Sequence, residues 1–187
     1  EALNEVYSIY KYLLSKSQPN RQIFLCGDSA GGNLSACLIH KIKQSEDVRI
    51  PTALLLFYPV IDCVNSYESH KTFGSGFGLD LDVMKKYIEA YCPDAELRKS
   101  PLVSPIFGSL DNFPPSLVIT SQFDILRNEG FKFAQKLGEA GVKVRYKCIE
   151  SAQHGFLAIP QLSKLFDESV SLISDFLALF KDNEKNQ

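Results

Sequence analysis

The sequence has only three histidines and no apolar run long enough to cross a bilayer. Its greasiest short stretches, Leu54 to Tyr58 and Leu177 to Phe180, read as core. Neither sign of charge is in excess. The net charge of −2 excludes an electrostatic footprint for nucleic acid and argues against attachment to an anionic membrane surface. The five cysteines, Cys26, Cys37, Cys63, Cys92 and Cys148, are odd in number and none is spaced as Cys-x-x-Cys. Neither a disulfide framework nor a zinc site is expected from them. They read as buried thiols in a reducing compartment, with the cytoplasm as the expected location. No histidine–carboxylate cluster has metal-ligand spacing, so no metal is expected. There is no internal repeat, low-complexity segment, signal peptide or initiator Met. The chain opens at Glu1 within an apparent helical pattern, so the natural N-terminus is expected upstream.

What is present suits one domain with a sizeable core: 187 residues, 45% of them apolar. Leu3, Val6, Tyr7, Tyr10, Leu13 and Leu14 recur at helical spacing and predict a helix over residues 2–16. Gln22 to Cys26 reads as a buried strand, Ala30 to Lys43 as a helix, and Thr52 to Tyr58 as a second buried strand closed by Pro59. Residues 62–104 lose the rhythm and read as an insertion. They hold a glycine-rich loop, Phe73 to Gly78, and a helix from Leu81 to Tyr91. Ser116 to Ser121 is a third strand and Asn128 to Ala140 a helix stopped by Gly141. Val142 to Ile149 is a fourth strand, and an apolar stripe from Leu162 to Phe180 marks the last helix. Residues 181–187 read as a charged, frayed tail. This alternation predicts an α/β fold, three layers α/β/α around a mainly parallel sheet.

Gly27-Asp28-Ser29-Ala30-Gly31-Gly32 fits G-x-S-x-G and falls between a predicted strand and a predicted helix. A nucleophilic serine needs that context. A very tight turn lifts its hydroxyl above the sheet, and small neighbours avoid clashes on the strained backbone. Ser29 also stands at a helix N-terminus, which favours developing negative charge, and the Ala30 N–H is the expected oxyanion donor. Asp28 should point away from the nucleophile and reads as structural. Asn33-Leu34-Ser35 matches a glycosylation sequon, discounted because the first turns of this helix should be buried. Gly74-Ser75-Gly76-Phe77-Gly78 superficially resembles a phosphate loop. It lacks the strand, helix and Lys-Ser/Thr of one, and reads as a hinge or lid.

Of the histidines, His40 lies too far along the helix after Ser29, and His70 sits in the insertion. His154 follows the last strand, at the sheet edge where catalysis collects, and is the expected general base. Two aspartates follow strands and could orient it: Asp62 after the second and Asp124 after the third. Asp124 is favoured because its strand lies nearer to that of His154 in the expected order. Asp62 otherwise reads as a turn residue.

Gly27 to Gly32, Pro101-Leu-Val-Ser-Pro105, Phe123-Asp-Ile-Leu-Arg-Asn-Glu-Gly130 and His154-Gly-Phe156 together resemble the hormone-sensitive-lipase-like branch of the α/β hydrolases, with its carboxylesterases and arylacetamide deacetylases. The resemblance implies Ser29 as nucleophile, Asp124 as acid, His154 as base, a cap drawn partly from residues 62–104, a small-molecule ester substrate and no cofactor. The family's His-Gly-Gly-Gly oxyanion segment is absent. The expectation is therefore the C-terminal portion of a longer hydrolase, or one piece of a split one. A missing N-terminal segment or a second chain would complete its sheet. Two other readings compete with an esterase: a non-catalytic ligand-binding protein of the same fold, as in plant gibberellin receptors, and an inactive fragment.

Overall fold

A computed structural model of the chain describes residues 1–45 and 47–184. Four strands, β1 (Phe24–Asp28), β2 (Ala53–Phe57), β3 (Ser116–Phe123) and β4 (Val144–Gln153), form one sheet in the order β1-β2-β3-β4. Every pairing is parallel. Helices α1 (Ala2–Lys16), α2 (Ala30–Lys43), α3 (Glu68–Thr72), α4 (Leu81–Tyr91), α5 (Arg127–Glu139) and α6 (Ser163–Leu177) make up the connections and the last element.

The strand periodicity of two explains the layers. Leu54 and Leu56 of β2 and Val118 of β3 face α2 and α5, where they pack with Ala36, Ile39, Phe133 and Leu137. Leu55, Phe57, Leu117 and Ile119 face the other way, onto Phe156 and onto Phe176 of α6. A strand buried on both faces has no polar side to show, which is why β2 is an unbroken Ala-Leu-Leu-Leu-Phe. Helix α1 lies outside α2, against Cys37, Leu38 and Ile42. Among the described residues no helix is long and apolar enough to cross a membrane.

The first strand departs from expectation. It runs from Phe24 to Asp28 rather than from Gln22 to Cys26, and it is not buried: Phe24 is 37% exposed and Cys26 is exposed. Among the described residues strand β1 pairs only with β2, and Phe24 makes an edge contact with Phe180. At the other end of the sheet β4 continues past its apolar run to Gln153, through a register shift opposite Ser121 to Phe123. Ser151 has a φ of +60° there, and its amide donates to Gln122 Oε1 at 2.7 Å. Gly141 takes a φ of +78° and stops α5, as its position suggested. The stripe expected to run to Phe180 is α6 followed by a 3₁₀ segment, Ala178–Glu184. Of the tail expected to fray, residues 185–187 lie outside the described residues.

Candidate active site

Sheet register places the site before any side chain is considered. Asp28 pairs with Phe57, so the next residues, Ser29 and Tyr58, leave the sheet side by side. Phe123 pairs with Gln153, so Asp124 and His154 do the same on the next pair of strands, β3 and β4. All four leave from the C-terminal edge of a parallel sheet, where the loops form a crevice.

Ser29 stands on the turn between β1 and α2 with φ 50° and ψ −119°, outside the regions a non-glycine residue prefers. Its neighbours hold that strain in place. The Ser29 amide donates to Phe57 O at 2.9 Å, and its carbonyl accepts from the amides of Val60 and Asn33. A side chain at position 27 would collide with the Gly31 carbonyl. One at position 32 would come within 2.7 Å of Pro59 Cβ. These two contacts let the strand, turn and helix close on each other.

The Ser29 hydroxyl lies 2.9 Å from Nε2 of His154, and Nδ1 of His154 lies 2.7 Å from Oδ2 of Asp124. A carboxylate can only accept, so the Nδ1 proton belongs on the Asp124 side and Nε2 turns a lone pair to the serine. The Asp124 side chain is fully buried and that of His154 is 13% exposed. The second carboxylate oxygen of Asp124 accepts from the Leu126 amide at 2.9 Å, which fixes the carboxylate plane.

The other candidates lie elsewhere. Asp62 accepts from the amides of Val64 and Asn65, from Nδ2 of Asn65 and, at 2.6 Å, from the Tyr67 hydroxyl. Burial alone would raise its pKa, but these donors together hold it below the ordinary aspartate value. His40 is buried against Pro105 O and the Phe113 ring. His70 faces Glu129, with its Nε2 3.7 Å from the carboxylate. Asn33 of the sequon is 4% exposed and donates to Val60 O and Val103 O, the two ends of the insertion.

A cavity of about 550 Å³ opens over Ser29 and His154. Its walls are mostly apolar: Leu34 and Val60 below, Leu79, Met84 and Ile88 from the insertion. The glycine-rich loop reaches the site. Gly78 lines this cavity beside the His154 backbone, and Phe73 and Phe77 clasp the ring of Phe123, next to Asp124. Cys63 also lines the cavity. Burial pushes its thiol up to about 11, so it stays protonated near neutral pH.

Two buried residues of this region were given no role of their own by the sequence. Glu129, in the first turn of α5, is 1% exposed and accepts from the amides of Ile61 and Asp62 at the root of the insertion. Burial raises its pKa, and only the facing His70 and those two amides work against that. Ser69 of α3, fully buried, donates to Ile125 O beside Asp124. Among the described residues no group of three His, Cys, Asp or Glu side chains could hold a metal ion.

Residues 1–158 match the family described as the alpha/beta hydrolase fold. An esterase of Acinetobacter venetianus is 30% identical over 158 residues, covering 83% of this chain and 52% of the relative. The gibberellin receptor GID1C of Arabidopsis thaliana is 31% identical over 157 residues, 80% of this chain and 44% of the receptor. Among solved structures, a hyperthermophilic esterase from Pyrobaculum calidifontis superposes with a TM-score of 0.88 at 27% identity, over 95% of this chain and 61% of that one. The chain spans about half the length of the curated relatives it matches.

Proposed function

The chain belongs to the α/β-hydrolase family, and from that membership we propose a serine hydrolase that cleaves small carboxylic esters, with Ser29 as nucleophile, His154 as base and Asp124 as acid. The observation that carries the proposal is the unbroken relay from Ser29 Oγ through both ring nitrogens of His154 to Asp124.

Oγ attacks the acyl carbon while Nε2 takes its proton. Asp124 stabilises the imidazolium that results. The carbonyl oxygen becomes an oxyanion, for which the Ala30 N–H at the start of α2 is one donor. Losing such a donor typically costs about 10²–10³ in kcat. The imidazolium returns the proton to the departing alkoxide, leaving an acyl group on Ser29. Water, deprotonated by the same nitrogen, releases the acid. Residues 62–104 act as a cap segment, supplying the apolar wall from Leu79 to Ile88. The free edge of β1 is where a further strand, from an upstream segment or a second chain, completes the sheet.

The kinship with a gibberellin receptor favours a second reading, a ligand-binding protein that uses the same cavity without turnover. A receptor has no need of the full relay, so the hydrolase reading is preferred. Labelling with a fluorophosphonate decides between them. The protein should be labelled and should turn over p-nitrophenyl esters, and Ser29→Ala should abolish both. Absence of labelling in the unmutated protein would reject the hydrolase.

A further inference from the structure

Two motifs have no part in the mechanism above: the buried Asn33 of the sequon and the segment Pro101-Leu-Val-Ser-Pro105. They meet. Nδ2 of Asn33 donates to Val103 O at 2.8 Å and to Val60 O at 3.0 Å. A carbonyl oxygen only accepts, so the amide turns its nitrogen to both and commits its two protons there. Oδ1 then accepts from the Cys37 thiol, at 3.7 Å.

Around Val60 the bonds close a loop. The carbonyl of Ser29 accepts from the Asn33 amide at 3.1 Å and from the Val60 amide at 3.2 Å, while the Asn33 side chain holds Val60 O. Val60 is therefore gripped on both sides, by its N–H to the nucleophile and by its C=O to Asn33. Ser29 needs such a grip. Its φ of 50° is a strained value that persists only where the surroundings over-determine it.

The rest of the insertion's return docks by other means. His40, nearly two turns after Asn33 on α2, donates to Pro105 O at 2.9 Å. Lys43 Nζ reaches Ser109 O and Asp111 O, at 2.8 and 2.7 Å. The Cys63 amide donates to Ser104 Oγ at 2.9 Å. These bonds fasten the returning chain to α2 and to the insertion's outgoing end, and none of them passes through Val60. Only at Asn33 do that fastening and the nucleophile turn share one side chain.

Resting on Ser29 as the nucleophile, we infer that Asn33 is a positioning residue for it. Through Val60 it holds the strained turn that presents the Ser29 hydroxyl, and through Val103 it sets the insertion in register with that turn.

Asn33→Leu keeps the shape and removes both donors. If it does not fold, Asn33→Ser, whose shorter side chain cannot span both carbonyls, takes its place. Either should lower kcat for p-nitrophenyl acetate and butyrate alike by about tenfold or more, since a misplacement of about 1 Å can cost about 10² in rate. KM should hold, because the apolar wall keeps its Cys63–Ser104 and His40–Pro105 bonds. His40→Ala, which frees the return segment from α2 without touching Val60, should lower stability and leave kcat unchanged. Wild-type kcat in a folded Asn33 variant overturns the inference. So does an equal loss of kcat in His40→Ala, which would mean that a loose insertion suffices. In the unmutated protein both Nδ2 protons of Asn33 should exchange slowly with solvent, and exchange as fast as that of an exposed amide overturns the inference without any variant. If the unmutated protein neither turns over esters nor takes the fluorophosphonate, the hydrolase reading has failed on its own. Hydrogen exchange at the Ser29 and Val60 amides then decides: faster exchange in the Asn33 variant than in His40→Ala supports the tie, and equal exchange overturns it.

Discussion

Asp62 and Asp124 follow adjacent strands at the same edge of the sheet and are equally buried, at 3% and 1% exposure, yet only Asp124 meets a histidine. The carboxylate of Asp62 is spent on its own turn, on Val64, Asn65 and Tyr67. The two asparagine substitutions should therefore fail differently. Asp124→Asn presents an amide to Nδ1 and favours the wrong tautomer, at a cost of about 10⁴ in kcat. Asp62→Asn should leave kcat nearly intact and lower stability by about 1–3 kcal/mol, because an amide cannot serve all those donors. Ester turnover and urea unfolding of both variants check the pair. A reversed ranking in kcat would move the acid to the loop after β2.

Much of this was legible in the sequence, for identifiable reasons. Helices α2 and α4 begin and end where their patterns do, since an amphipathic stripe and a flanking turn mark both limits. Strand ends were less legible. Strand β1 is displaced because an edge strand need not be apolar where its pattern suggests, and β4 outlasts its apolar run because the ladder continues through Glu150 to Gln153. Ser29, His154 and Asp124 could be nominated from motif, chain order and strand ends, but the relay distances needed the register of β3 on β4. The structural roles of Glu129 and Asn33 were not legible. Their partners lie on other elements, Glu129 in a first helical turn reads as a favourable charge, and Asn33 reads as a sequon.

Glu129 gives the second test. Its carboxylate satisfies the amides of Ile61 and Asp62 in a place water does not reach. Glu129→Ala leaves both donors without an acceptor, at about 1–3 kcal/mol each. Glu129→Gln keeps one oxygen for them and should lose less. Urea unfolding at neutral pH measures both. A loss from Glu129→Ala no larger than the roughly 0.5 kcal/mol of a surface change would show that the insertion root does not depend on this residue.

His40 gives a pH-dependent test with a definite sign. The ring is 6% exposed on α2, with Nε2 2.9 Å from Pro105 O, so that nitrogen carries the proton and donates. Burial lowers its pKa below the ordinary 6.5; the Pro105 bond opposes that shift and Lys43 adds to it. The folded state therefore holds the ring neutral over a window beginning at 6.5, while the unfolded chain has already taken a proton. Between the folded value and 6.5 the unfolded state binds more protons, so stability falls as pH drops through that window and is flat above it. The slope contributed by one such group cannot exceed about 1.4 kcal/mol per pH unit. His40→Gln retains a donor for Pro105 O and removes the titration. His70 and His154 stay in both proteins, so their contributions cancel in the comparison. Urea unfolding at about pH 7.5 and about pH 5.5 should show the unmutated protein losing more stability on acidification than the variant does. Equal losses would mean that His40 titrates alike in the folded and unfolded chain, and that the packing of α2 on the segment from Pro105 to Phe113 does not exclude the charged ring.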